Sequence, residues 1–304
     1  MITFIDKRDE VFQMNEIKEI TGKELRRMQL IQLDMLIEFD RVCRKHGIKY
    51  SMDGGTMLGA IRHKGYIPWD DDADIMMLRE EYEKFKAVAN ELNPDICWLQ
   101  DHDTDPEYRW GYSKLRRSGT TFIRVGQEHL KCKTGVFVDI FPHDDVPKGV
   151  VGQVLQDVYC YCLRKILWSE VARKTESSFL WRLWYRALSL IPVDFVFSRI
   201  KKMSRKSRND TSNRARTLMF MAYARMNKDI KIPLCEFYSM PKEWYLDVVD
   251  YEFEGVRLLG TRDYDARLKH QYGDYMKLPP ENQRVAHAPV SSYDFGGLHL
   301  EVLT

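Results

Sequence analysis

Between positions 52 and 78 the chain carries a Gly-Gly pair and then, a short distance on, four aspartates in five positions: Asp70, Asp71, Asp72 and Asp74. Carboxylates spaced i, i+2 on a strand point to one face. Asp72 and Asp74 are therefore predicted to hold a hard divalent cation such as Mg²⁺ between them. Asp70 falls in phase with that pair, whereas Asp71 is expected to face away. Upstream, Gly54 and Gly55 let backbone N–H groups come close to a phosphate, and the start of the helix they open adds a favourable dipole. With Thr56 they form a predicted cradle for a diphosphate. A third acid, Asp139, lies in the apolar run Gly-Val-Phe-Val-Asp-Ile-Phe-Pro at 135–142. A lone carboxylate there costs several kcal/mol to bury unless it is paired or bound to metal, which makes Asp139 a candidate ligand or general base. Phosphoryl-type transfer is the chemistry such a set serves, with developing charge neutralised by metal and basic groups rather than by a protein nucleophile. Arg62, Lys64, Lys114 and Arg116 are the basic residues placed by sequence to reach a diphosphate.

The elements that must position these groups are legible from periodicity. Thr21 and Glu24 read as a capping box, followed by apolar residues at helical spacing (Leu25, Met28, Ile31, Met35, Leu36, Phe39, Val42) up to Gly47. Residues 48–52 alternate like a strand running into the glycine turn, residues 56–62 read as a short helix, and the stretch after Asp72 reads as a strand. A helix over 80–92 and strands over 112–116, 120–124 and 135–141 complete the N-terminal half. From 150 to 225 the pattern is helical, interrupted near Ser177-Ser178 and Pro192. Strands at 244–253 and 256–259 flank Glu254-Gly255 as a hairpin, and a last helix spans 263–272 before Gly273. The fold class expected is α+β, a mixed sheet flanked by helices. Its units are a catalytic core over 1–149, a helical basic and aromatic insertion over 150–226, and a C-terminal part over 227–304 that completes the core and active site.

Bulk properties narrow the function classes. With 304 residues and 44% apolar content the chain can bury a sizeable core. A net charge of +2 and a pI near 8.1 give no global case for nucleic acid as a partner. The opening residues lack an apolar run of signal-peptide length and no later run is long enough to span a bilayer, so a cytoplasmic protein is expected. Six cysteines without CxxC spacing (Cys43, Cys97, Cys132, Cys160, Cys162, Cys235) read as reduced packing residues.

The glycine turn followed by Asp-x-Asp resembles the nucleotidyltransferase fold signature, with a somewhat longer spacer. Read as whole segments, Lys45-His46-Gly47-Ile48-Lys49-Tyr50, Asp53-Gly54-Gly55-Thr56-Met57-Leu58-Gly59-Ala60-Ile61-Arg62-His63-Lys64-Gly65 and Ile67-Pro68-Trp69-Asp70-Asp71-Asp72-Ala73-Asp74 resemble the LicD family, which includes bacterial phosphocholine transferases and is related to fukutin and fukutin-related protein. Lys114-Leu115-Arg116, Val138-Asp139-Ile140-Phe141-Pro142, Tyr272-Gly273-Asp274-Tyr275-Met276, Pro279-Pro280 and His287 extend the likeness over roughly residues 20–145 and 240–290. The resemblance implies Mg²⁺ or Mn²⁺ bound by Asp72 and Asp74, with Asp70 in support and Asp139 completing the site. It also implies a CDP-linked donor such as CDP-choline, whose phospho-substituent passes to a sugar hydroxyl, typically on a lipid-linked glycan, with release of CMP. A quaternary ammonium donor calls for an aromatic cage, for which Trp69, Trp98, Tyr108, Trp110 and Tyr112 are candidates; His287 is a candidate contact to donor or acceptor. The competing readings are a nucleotidyltransferase that leaves the nucleotide on its product, a metal-dependent glycosyltransferase, and a non-catalytic donor-binding member of the fold.

The helical middle lies outside the likeness. Residues 160–216 interleave Arg and Lys with Trp168, Trp181, Trp184, Tyr185 and Phe195, a composition suited to an anionic membrane surface and equally to an insertion packed on the core with a solvated basic face.

Overall fold

Apolar residues three and four apart make the first helix, and they all turn inward. In the computed structural model, which describes residues 18–206, 212–220, 239–286 and 289–298, α1 (Gly22–Lys45) buries Leu25, Met28, Ile31, Met35, Leu36, Phe39 and Val42. The capping box does not close, since Thr21 makes no side-chain cap hydrogen bond. Packing of the apolar face holds this helix, as is general for helices in folded chains. Past Gly47, at φ +62°, come β1 (Ser51–Met52), α2 (Gly54–His63) and β2 (Asp74–Leu78). β1 is shorter than its alternation predicts, and α2 begins two residues earlier, at the glycines themselves.

α3 (Arg79–Val88), β3 (Cys97–Gln100), β4 (Ser113–Arg117), β5 (Thr121–Arg124) and β6 (Phe137–Asp145) follow. β3 has no clear alternation in its four residues and owes its conformation to pairing with β4. β6 continues past the expected 141 to Asp145. The main sheet has the order β1-β2-β6-β4-β3. β2 runs parallel to β6 and the remaining pairs are antiparallel, so the sheet is mixed, with helices flanking it: the α+β class expected.

Breaks at Ser178 and Pro192 divide the helical stretch into α4 (Val150–Thr175), α5 (Phe179–Leu188) and α6 (Val193–Lys206). The reading of helix up to 225 is corrected at β7 (Arg214–Thr217), which pairs with the end of β6 and with β8 (Met240–Pro241). The open edge of β6 decides that conformation over local periodicity. Arg216 on β7 meets Asp157 of α4 at 2.8 Å with both side chains buried, tying the helices to the sheet. Cys160, Leu163, Leu167, Val196, Ile200, Leu218 and Met219 form a small core of their own there.

Residues 243–246, partly inside the predicted strand 244–253, form a helical turn, α7 (Glu243–Leu246), before β9 (Val248–Phe253) and β10 (Val256–Thr261). Glu254 and Gly255 both have positive φ (52° and 80°), as a tight two-residue hairpin turn requires. α8 (Tyr264–Tyr272) is capped by Asp263, whose carboxylate accepts from the Ala266 N–H. β11 (Val290–Asp294) pairs with β5. Cys43, Cys97, Cys132 and Cys160 are buried free thiols, whereas Cys162 is exposed; Cys235 lies outside the described residues. No helix among the described residues is long and apolar enough to cross a membrane.

Candidate functional site

Three neighbouring strands set the first row of the site. Asp74 opens β2, its register partner on β6 is Asp139, and the partner of Asp139 on β4 is Lys114. Lys114 Nζ donates to Asp139 Oδ1 with both side chains buried. The lone acid of the apolar strand is thus paired within the protein, the outcome its burial demands.

The glycine turn lies against this row. A Cβ built on Gly54, which has φ +53°, would stand 2.9 Å from Asp74 Oδ2, and one on Gly55 would overlap Asp70 Oδ2. Both glycines are therefore needed to let carboxylates reach the first turn of α2. Thr56 serves that arrangement rather than an open cradle: its Oγ1 accepts the Asp74 N–H at 2.8 Å. Asp53, just before the turn, receives a buried ion pair from Arg267 on α8. Burial, then Asp72, Asp139, Asp53 and Asp70, raise the Asp74 carboxyl well above the usual carboxylate range. Like charges this close resist ionising together.

Residues 70–73 are loop, and only Asp74 belongs to the strand. Strand phasing therefore applies to none of Asp70, Asp71 and Asp72, and the expectation that Asp71 faces away is corrected. Its carboxylate comes within 4.8 Å of those of Asp70 and Asp72, and its residue is buried. Two glutamines on α1 hold the loop in place. Gln29 Nε2 donates to the Asp70 carbonyl at 3.0 Å, and Gln32 Nε2 to those of Asp71 (3.0 Å) and Phe137 (3.2 Å).

A cleft beside the row gathers Lys114, Arg116 and Arg124 with Trp110, Tyr112 and Phe137. Arg116 is anchored by Gln100 Oε1 (2.6 Å) and the Gly135 carbonyl (2.8 Å). Arg124 has a buried Nε with no hydrogen-bond partner among the described residues, and Asp72, Asp71 and Asp139 outweigh burial to raise its pKa. Its ring neighbour is Phe137, 5.1 Å away, and the Lys114 ammonium lies 3.5 Å from the same centroid.

The other expected residues divide. Arg62 is half-buried and donates to the Tyr275 carbonyl at 2.9 Å; burial lowers its pKa, while Tyr272 and Asp70 act against that and Arg284 adds to it. Trp69 stands edge-on to His63 and under Arg284, 5.5 Å from its ring. Lys64 is not brought to the acids: it caps the far end of α2, roughly 15 Å along the axis from Gly54 at the helical rise, and faces Glu252 at 3.5 Å. Tyr108 is core, with no exposure, and Trp98 on β3 carries Lys133 over its ring. His287 lies outside the described residues.

Sequence reasoning missed Gln29, Gln32, Arg124, Arg267 and Tyr272, whose hydroxyl lies 3.8 Å from the Cβ position of Gly54. The glutamines did leave a signal, as two uncharged polar residues one turn apart among the apolar positions of α1. Among the described residues Asp70, Asp71 and Asp72 bring carboxylate oxygens within 4.8 Å of one another, a hard-oxygen donor set that fits Mg²⁺ or Mn²⁺.

Residues 47–159 match the family described as LicD/FKTN/FKRP, nucleotidyltransferase domain. Over 292 residues the chain is 30% identical to the lipopolysaccharide cholinephosphotransferase LicD of Haemophilus influenzae, covering 88% of this chain and 97% of that protein. The chain belongs to the LicD family. Uncharacterized proteins of Rickettsia typhi (36% identical over 73 residues, 24% of this chain and 23% of theirs) and Rickettsia prowazekii (42% over 62 residues, 20% and 22%) share shorter stretches with it. The LicD-family domain at 47–159 contains the two glycines, all the acids and the three cations of the cleft; Arg267 and Tyr272 come from beyond it.

Proposed function

We propose that this LicD-family protein transfers phosphocholine from CDP-choline to a hydroxyl of a cell-surface glycan or its lipid-linked precursor, releasing CMP. The observation that carries the reading is the glycine turn packed with carboxylates directly beside a cleft holding three cations. Similarity over nearly its whole length to a protein named as a lipopolysaccharide cholinephosphotransferase supports the choice of substituent and acceptor.

Asp72 and Asp74 would hold Mg²⁺ or Mn²⁺, with Asp70 in support and Asp139 completing the set. Such a cation, when bound, neutralises diphosphate charge and polarises its oxygens. Arg124, whose Nε lacks a hydrogen-bond partner among the described residues, binds the nucleotide-side phosphate together with Lys114 and Arg116. The start of α2 and Arg62 approach the diphosphate from the other side. Protein cations already lie over Phe137 and Trp69, so those rings do not suit a second cation, and Trp110 is the ring assigned to the trimethylammonium group. In the transfer the acceptor oxygen bonds to the choline-bearing phosphorus. The bond from that phosphorus to the bridging oxygen breaks, CMP keeps the electron pair, and the hydroxyl proton goes to Asp139.

The test is CMP release from a panel of CDP-linked donors (choline, ethanolamine, ribitol, glycerol) with Mg²⁺, with and without EDTA, using glycan extract as acceptor. EDTA-sensitive release from CDP-choline, with phosphocholine found on the acceptor by mass, is expected. A nucleotide monophosphate on the product, or near-wild-type turnover by Asp72→Asn or Asp74→Asn in saturating Mg²⁺, refutes the reading.

A further inference from the structure

The ten residues of α5 bury one side chain, that of Tyr185. Phe179, Leu180, Leu183 and Trp184 are each more than half exposed (68%, 74%, 55% and 54%). At 100° per residue these four fall on one side of the helix, with Arg182 and Arg186 along the adjoining flank; Tyr185 and Leu188 turn toward α4, and Trp181, itself 56% exposed, lines the groove between the two helices. A helix this short gains little from its own hydrogen bonds in water, and most of its apolar surface is left uncovered by the described residues. The stripe does not stand alone. Val151, Leu155, Val158 and Tyr159 are exposed on α4, and an apolar groove of about 1060 Å³ lies between α4 and α5. Contiguous apolar exposure on this scale marks an interaction surface.

Charge identifies the occupant. From 150 to 206 the sequence has eleven Lys and Arg against four acids. Three of those acids are engaged: Asp157 with Arg216, Glu170 with Arg173, and Asp194 with His102. A second copy of the chain would bring one basic surface against another if it paired through the same patch. An anionic phospholipid surface instead receives both the cations and the apolar stripe. We infer that α5, with the exposed face of α4, is an interfacial helix that lays Phe179, Leu180, Leu183 and Trp184 into an anionic bilayer while Arg182 and Arg186 meet lipid phosphates. The inference draws on none of the groups assigned to the transfer reaction.

Flotation of the full chain with vesicles tests it, comparing phosphatidylcholine alone with a mixture containing roughly 30% phosphatidylglycerol, a fraction high enough to create a negative surface potential. Wild-type protein is expected to float with the anionic vesicles and not with the neutral ones. Arg182→Glu with Arg186→Glu should weaken binding at least about 25-fold, since each surface cation is worth about fivefold. Leu180→Ser with Leu183→Ser should abolish flotation even at low salt, and brominated lipid should quench wild-type tryptophan fluorescence. Both double variants replace side chains outside the core and should keep the wild-type melting temperature. Failure of the wild-type to float with anionic vesicles at low salt overturns the inference, as does undiminished flotation of both variants. Self-association that the serine variant abolishes would show that a second copy covers the stripe, and overturns it too.

Discussion

Replacing Gly55 with alanine isolates the geometry of the turn from the stability of the fold. Unlike Gly54, Gly55 has no left-handed φ, so alanine adopts its backbone without strain. Alanine is the better helix former by up to about 1 kcal/mol, and the folded state should keep its melting temperature or gain slightly. The new methyl, however, would overlap Asp70 Oδ2. Restoring normal contact moves that carboxylate by roughly 1 Å, a misplacement that costs on the order of 100-fold in a reaction that depends on alignment. The assay is metal-dependent CMP release beside a thermal melt, with Mn²⁺ affinity followed by electron paramagnetic resonance. Turnover and Mn²⁺ affinity should fall while the melt does not. Wild-type turnover with wild-type Mn²⁺ affinity in a folded Gly55→Ala protein would refute the claim that these glycines exist to admit the acids.

Arg124→Ala removes the cation whose Nε lacks a hydrogen-bond partner among the described residues and should raise the KM for the donor about tenfold or more, the value of one hydrogen bond to a charged group, with a smaller effect on melting temperature; steady-state kinetics check this. Arg267→Met leaves the Asp53 carboxylate buried without its arginine and should cost about 3–5 kcal/mol; adding Asp53→Asn should restore much of it in urea unfolding. Burial pushes the His143 imidazole down to about 4 from its ordinary 6.5. The unfolded chain therefore takes up the proton first as the pH falls. The stability this histidine contributes is full above 6.5 and is lost on going toward 4, about 2 kcal/mol by pH 5. His143→Gln should remove that part of the pH slope when unfolding is compared at pH 7 and pH 5.

The acids and the glycine turn were legible because each is a local pattern: a turn opening a helix, an alternating strand, one acid in an apolar run. What escaped depends on partners distant in sequence. Alternation alone turns Asp71 away from its neighbours, but the strand starts only at Asp74, and two glutamines of α1 set the loop before it. The four residues of β7 carry little period of their own, so their strand conformation comes from the free edge of β6 and is not visible locally. Lys64 stands close to the glycines in sequence but at the opposite end of their helix. Arg124 and Arg267 look like any other arginine until the fold shows which carboxylates they face.

The pairing of Asp53 with Arg267 also fixes when the site can exist. The two residues are 214 positions apart, so the ribosome completes the acid loop and the parallel strands long before it makes the arginine that neutralises the carboxylate under α2. Closing so long a loop is entropically unfavourable until many other contacts have formed. Until then the emerging chain holds a cluster of neighbouring carboxylates without the arginine that meets Asp53. A product ending before α8 could still form the β2–β6 pair but would lack the arginine that seats the glycine turn. Seating of the glycine turn by this pair therefore waits until α8 has been made.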